Sequence, residues 1–124
     1  MSIAIKRAYD PPTPDDGYRV LVDRLWPRGL SKAKAGVDQW LRDVAPSNAL
    51  RKWFHANPEE WAQFRKRYLK ELSAAKTQRD LQQLRALARE RKRLTLLFSS
   101  RNEERNNALV LRDFLEKNEK RRVA

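Results

Sequence analysis

The sequence predicts a small single α/β domain in which a short, mostly parallel sheet is flanked by helices. Three observations carry this. Tyr18–Leu25 and Leu94–Phe98 are largely apolar runs with the length of buried strands. Between them, Trp61, Phe64, Tyr68 and Leu72, then Leu81, Leu84, Leu87 and Ala88, recur at helical spacing. Strand, helices, strand, helix is the order that joins parallel neighbours. With 124 residues, 40% of them apolar, there is material for one core and not comfortably for two.

Taken in chain order, Ile3-Ala4-Ile5-Lys6-Arg7 alternates like a short strand. Asp10-Pro11-Pro12-Thr13-Pro14-Asp15-Asp16-Gly17 is too rich in breakers for helix or central strand and reads as a surface loop. The next strand should end near Asp23. Val37–Val44 reads as a short helix closed by Pro46. Asn57-Pro58-Glu59-Glu60 predicts a helix start with Asn57 as N-cap, and Thr77-Gln78-Arg79-Asp80 predicts a second. After Leu94–Phe98, Asn102 is expected to cap a last helix that buries Ala108, Leu111 and Leu115. Residues 117–124 read as a fraying basic tail.

The net charge is +12, of which +2 belongs to residues 1–50 and +10 to residues 51–124. Such a balance suits polyanions, yet its helical location also suits a solvated surface. No cysteine is present, which excludes disulfides and thiolate chemistry. His55 is the only histidine, so no metal site and no cofactor are expected. No run of about 18 apolar residues occurs and the first residues lack a signal-peptide pattern, so a cytoplasmic protein without membrane contact is expected.

If the two buried strands are parallel neighbours, their C-terminal ends form the edge where open α/β folds bind ligands. Asp23, Arg24, Trp26 and Arg28 would then face Ser99, Ser100, Arg101, Asn102 and Asn106 beside the start of the last helix. Arginines near a helix N-terminus favour a small anion bearing phosphate or carboxylate. Asp23 is the carboxylate placed to act as a base and Ser99 the hydroxyl placed like a nucleophile, although no G-x-S-x-G, P-loop or G-x-G-x-x-G motif is present. The competing reading makes Asp23 a structural partner of Arg7, Arg24 or Arg28, with Trp26 and Pro27 as a lid on the core.

Arg65, Lys66 and Lys70, with Arg91 and Lys92, are the candidate phosphate contacts if the partner is nucleic acid. Interrupting glutamates and the lack of a helix-turn-helix, KH or RRM signature leave this reading behind the small ligand. A protein-interaction module is the third class. Oligomeric state is not encoded legibly.

One block is more specific than any of these patterns. Lys6-Arg7-x-Tyr9-Asp10, Asp16-Gly17-x-Arg19-Val20-Leu21-Val22-Asp23-Arg24-Leu25-Trp26-Pro27-Arg28-Gly29, Ala45-Pro46-Ser47, Leu50-Arg51-Lys52 and Asn106-x-Ala108-x-Val110-Leu111 resemble the YeaO-like branch of the family called domain of unknown function 488. The resemblance spans nearly the whole chain and implies a compact α/β domain. It also implies that any shared site includes Asp23, Arg24, Trp26, Arg28 and Gly29. Several members of that family carry a histidine where this chain has Arg105-Asn106-Asn107, and others a Lys-Asp pair where Arg101-Asn102 stand. Arg and Asn there keep anion affinity and remove a titrating base.

Overall fold

In the computed structural model, which describes residues 3–123 with side chains as far as residue 117, four parallel strands make one sheet. They are β1 (Ile3–Arg7), β2 (Tyr18–Leu21), β3 (Gln39–Trp40) and β4 (Leu94–Phe98), in the order β1-β4-β2-β3. The helices are α1 (Lys32–Ala35), α2 (Asn48–Ala56), α3 (Trp61–Leu72), α4 (Gln78–Glu90) and α5 (Asn107–Val123). None among the described residues is long and apolar enough to cross a membrane.

β4 is central because all five of its residues are buried, which suits a strand covered on both faces. Val20, Val22, Leu94, Leu96 and Phe98 pack on the larger core with Tyr68, Leu72, Leu84 and Leu111. Leu21 and Leu97 point the other way, onto Ala8, Trp26, Leu30, Val37 and Trp40. The alternation is the strand period of two, and it divides the apolar residues between the two faces.

Val37–Val44 is not a helix. Trp40 lies in the smaller cluster and Leu41 and Val44 in the larger, so the segment crosses from one face to the other. It does so as β3, followed by a 3-10 turn at Arg42–Val44. The Asp38 N–H donates to the Arg19 carbonyl at 2.8 Å and the Asp38 carboxylate accepts from the Arg19 N–H at 2.9 Å, which fixes the pairing.

Asn57 ends α2 instead of starting α3: its N–H donates to the Phe54 carbonyl and its side chain to the Trp53 carbonyl. Pro58 and Glu59 form a turn and the helix begins at Trp61. Thr77 precedes α4 without capping it, because its hydroxyl donates to the Glu71 carbonyl at 3.1 Å. The backbone of the expected tail is helical to Val123, as the last turns of α5; residue 124 and the side chains from 118 lie outside the described residues.

The loop of residues 10–17 is less superficial than its prolines imply. A 3-10 turn at Pro14–Asp16 buries Asp16, whose carboxylate accepts from Arg19 Nη1 at 2.5 Å, Lys6 Nζ at 3.1 Å, and the Thr13 N–H and hydroxyl at 3.0 Å each. Burial opposes ionisation of Asp16, but these hydrogen bonds outweigh it and hold the carboxyl at a pKa of about 2. Gly17 follows at φ +64°, where a side chain would run into the Arg93 backbone carbonyl.

Candidate functional site

The register Leu21↔Leu97 brings the ends of β2 and β4 level, so residues 23 and 99 emerge side by side. Asp23 Oδ2 accepts from the Ser99 N–H at 2.9 Å and from the Ser99 hydroxyl at 2.6 Å. Its Oδ1 accepts from Asn107 Nδ2 at 3.0 Å, and that amide also donates to the Val22 carbonyl at 3.0 Å. Asp23 therefore ties the end of β2 to the end of β4 and the first residue of α5. It makes no ion pair with Arg7, Arg24 or Arg28 among the described residues. Burial raises its pKa, opposed by the Ser99 and Asn107 hydrogen bonds and the charge of Arg51.

Around this tie opens a crevice of about 720 Å³. It is bordered by Asp23, Arg24, Trp26, Arg28, Ser99, Ser100, Arg101, Asn102 and Asn106, the residues nominated from the sequence. Their tasks differ. Arg24 donates to the carbonyls of Pro46 at 3.0 Å and Ala45 at 3.1 Å, so its guanidinium holds the chain before α2. Trp26 Nε1 donates to the Leu30 carbonyl at 2.6 Å while its ring meets Trp40 edge-on at 5.5 Å. Arg7 donates to the Ser99 and Ser100 carbonyls and so ties the loop after β4 to the end of β1.

That loop braces itself. The Ser100 hydroxyl accepts from the Asn102 N–H at 3.1 Å, and Asn102 Oδ1 accepts from the N–H groups of Glu104 and Arg105 at 2.9 Å each. Asn102 thus stabilises a turn one step before the helix. Asn106, not Asn102, is the cap of α5: its Oδ1 accepts from the Leu109 N–H at 2.9 Å and its Nδ2 donates to the Asn102 carbonyl. The result is a loop held by its own hydrogen bonds that carries Arg101 and Arg105 at exposed positions.

Two further contributors come from α2, a helix the sequence reading left unassigned. Its signal was Pro46-Ser47: the Ser47 hydroxyl accepts from the Leu50 N–H at 3.1 Å and donates to Glu71 Oε2 at 2.6 Å. The Ser47 N–H donates to Glu71 Oε1 at 2.8 Å, so the start of α2 is pinned to α3. Arg51 and His55, one turn apart, consequently line the crevice. Tyr68 braces the same corner by donating to the Val44 carbonyl; burial, then the charges of Asp23 and Glu71, hold its pKa well above the usual phenol value, so it remains a donor.

Five arginines and one carboxylate thus border the crevice. Arg24 is committed to carbonyls, and Arg51 has only a 3.5 Å contact with Asn48, while Arg28, Arg101 and Arg105 have no ion-pair partner among the described residues. The other basic groups lie elsewhere. Arg65, Lys66 and Lys70 are exposed on α3, and Arg91 and Lys92 precede β4, at the opposite edge of the sheet, where Arg91 stacks on Tyr18 at 4.3 Å.

A parallel α/β domain with an arginine-bordered crevice at its carboxyl edge is thus the class that fold and site define. The chain belongs to the family described as the inactive DUF488-N3 subclade, which matches residues 2–123. It is 46% identical to the uncharacterized protein YeaO of Escherichia coli strain K12 over 115 residues, which cover 93% of this chain and 97% of that protein. The uncharacterized proteins Rv3073c of Mycobacterium tuberculosis H37Rv and Mb3100c of Mycobacterium bovis are each 39% identical over 113 residues, covering 91% of this chain and 92% of theirs. No solved structure matches the chain significantly.

Proposed function

We infer that this protein binds a small anionic, phosphate- or carboxylate-bearing ligand in the crevice at the ends of β2 and β4. The observation that carries the reading is the set of exposed guanidinium groups of Arg28, Arg51, Arg101 and Arg105 around a crevice whose only carboxylate among the described residues, Asp23, is already matched by three donors. Guanidinium groups without an ion-pair partner among the described residues are free to make bidentate bonds to an oxyanion.

Binding fits the site better than turnover. The oxygens of Asp23 are engaged by neighbours that hold the fold, and the Ser99 hydroxyl donates to one of them. Asp23 then serves as an orienting group. The description of the family as an inactive subclade accords with this role.

Titration with inorganic phosphate, followed by calorimetry and by NMR shifts of the Ser99–Asn107 loop, tests it. Saturable binding localised to that loop is expected, and Arg101→Gln with Arg105→Gln should weaken it about five- to tenfold. Absence of saturable binding, or indifference to the double variant, would refute the reading.

A further inference from the structure

Resting on the anion-binding reading, we propose that the ligand joins its phosphate to a flat aromatic body, with the dimensions of a nucleoside monophosphate. A crevice of about 720 Å³ falls in the range that holds drug-sized molecules and greatly exceeds what a bare oxyanion occupies. Besides the arginines, the crevice is walled by apolar groups: Leu25, Pro27, Pro46, Phe54 and Phe64.

This wall is organised. Phe54 and Phe64 stack with centroids 4.3 Å apart and planes 18° from parallel, and Phe64 is buried while Phe54 remains half-buried at the crevice. Leu25 follows Asp23 and Arg24 off the end of β2 and is 54% exposed, the more exposed of the two large apolar side chains at the surface among the described residues. The other, Tyr9, also borders the crevice, under the Arg7 guanidinium at 5.0 Å from its ring centroid and with its hydroxyl on the Arg28 carbonyl at 2.8 Å.

Exposed apolar side chains concentrated at one cavity mark a binding surface. The ring of Phe54, backed by Phe64, borders the crevice together with Leu25 and two prolines, an apolar lining that suits a planar group, and a dianionic phosphate beside it can engage two guanidinium groups at once. Leu25 is then the residue that covers the ring, and Arg101 and Arg105 are the residues that hold the phosphate.

The test compares inorganic phosphate, 1-naphthyl phosphate and adenosine monophosphate by calorimetry on the intact chain and on Leu25→Ser. Because Leu25 is exposed, this variant is expected to fold like the parent, which circular dichroism checks. The two aromatic phosphates should bind about tenfold or more tightly than inorganic phosphate, and Leu25→Ser should erase most of that difference while leaving inorganic phosphate unchanged. Equal affinities for all three compounds overturn the aromatic body and leave the anion reading standing. If none of the three binds, both fail.

Discussion

Replacing Asp23 with asparagine keeps its shape, removes its charge and reverses the polarity of one of its two acceptor atoms. Three donors converge on the carboxylate: the Ser99 N–H, the Ser99 hydroxyl and Asn107 Nδ2. If the new amide oxygen takes the position facing Ser99, its nitrogen confronts Asn107 Nδ2, donor against donor. Turning Asn107 over relieves this but brings its oxygen against the Val22 carbonyl, to which Nδ2 now donates at 3.0 Å. The opposite placement of residue 23 sets a nitrogen against the Ser99 N–H. Every arrangement leaves one mismatched contact, which costs about 1–3 kcal/mol, and part of this is offset because a charge no longer has to be buried. The net expectation is a loss of about 1–2 kcal/mol, or a fall in Tm of roughly 5–10 °C. Urea unfolding followed by tryptophan fluorescence should show a lower midpoint with an unchanged slope. Asn107→Ala removes the opposing donor, so its cost and that of Asp23→Asn should add to less than their sum in the double variant. Unchanged or increased stability in Asp23→Asn, or strict additivity, would refute this account of the tie.

Other perturbations have equally definite outcomes. Asp16 has a folded-state pKa of about 2, below its unfolded value, so its contribution is complete above about pH 4 and lost as pH falls toward 2. The stability gap between the parent and Asp16→Asn, roughly 1–2 kcal/mol, should therefore close across that acid range in pH-dependent urea titrations. Asp23 acts in the opposite sense: its raised pKa costs stability above it, and Asp23→Asn should look least harmful at neutral pH and worse as acid protonates the parent. Gly17→Ala, strained at φ +64° and driven into the Arg93 carbonyl, should cost more than 2 kcal/mol in thermal unfolding, whereas Gly29→Ala, at φ +75° with no atom within 4 Å, should cost only about 1 kcal/mol. Changing Arg65, Lys66 and Lys70 together to Gln should leave phosphate affinity in the crevice unaltered, because these exposed residues of α3 do not line it.

β2 and β4 are legible as buried strands because Val20–Val22 and Leu96–Phe98 are apolar on successive residues, which suits a strand covered on both faces, whereas their pairing enters the sequence reading only as a condition and is supplied by the fold. β3 was illegible for a complementary reason. Val37, Leu41 and Val44 stand at spacings of four and three, which mimic a helix, yet Trp40 and Leu41 enter opposite clusters across the sheet. Only the presence of two distinct apolar faces, a tertiary property, separates these alternatives. The caps failed similarly. Asn57, Thr77 and Asn102 each have the chemistry of an N-cap, but each spends its side chain on a different local partner.

For the crevice, residue type located the edge but not the division of labour along it. Arg24 and Arg28 look alike in sequence, and whether either can hold an anion depends on whether backbone carbonyls have already claimed its donors. The carbonyls of Ala45 and Pro46 claim Arg24, and they are presented there because Ser47, pinned by Glu71, starts α2 one residue later. The same pinning delivers Arg51 to the crevice rim from a helix whose one local signal is Pro46-Ser47. Thus one hydrogen-bonded contact between the start of α2 and α3 both retires one arginine and recruits another. Glu71→Gln, which keeps the size of that anchor and weakens its bonds to Ser47, should accordingly reduce phosphate affinity about two- to fivefold although residue 71 does not line the crevice. A phosphate titration on Glu71→Gln that matches the parent would show that the position of Arg51 does not depend on this anchor.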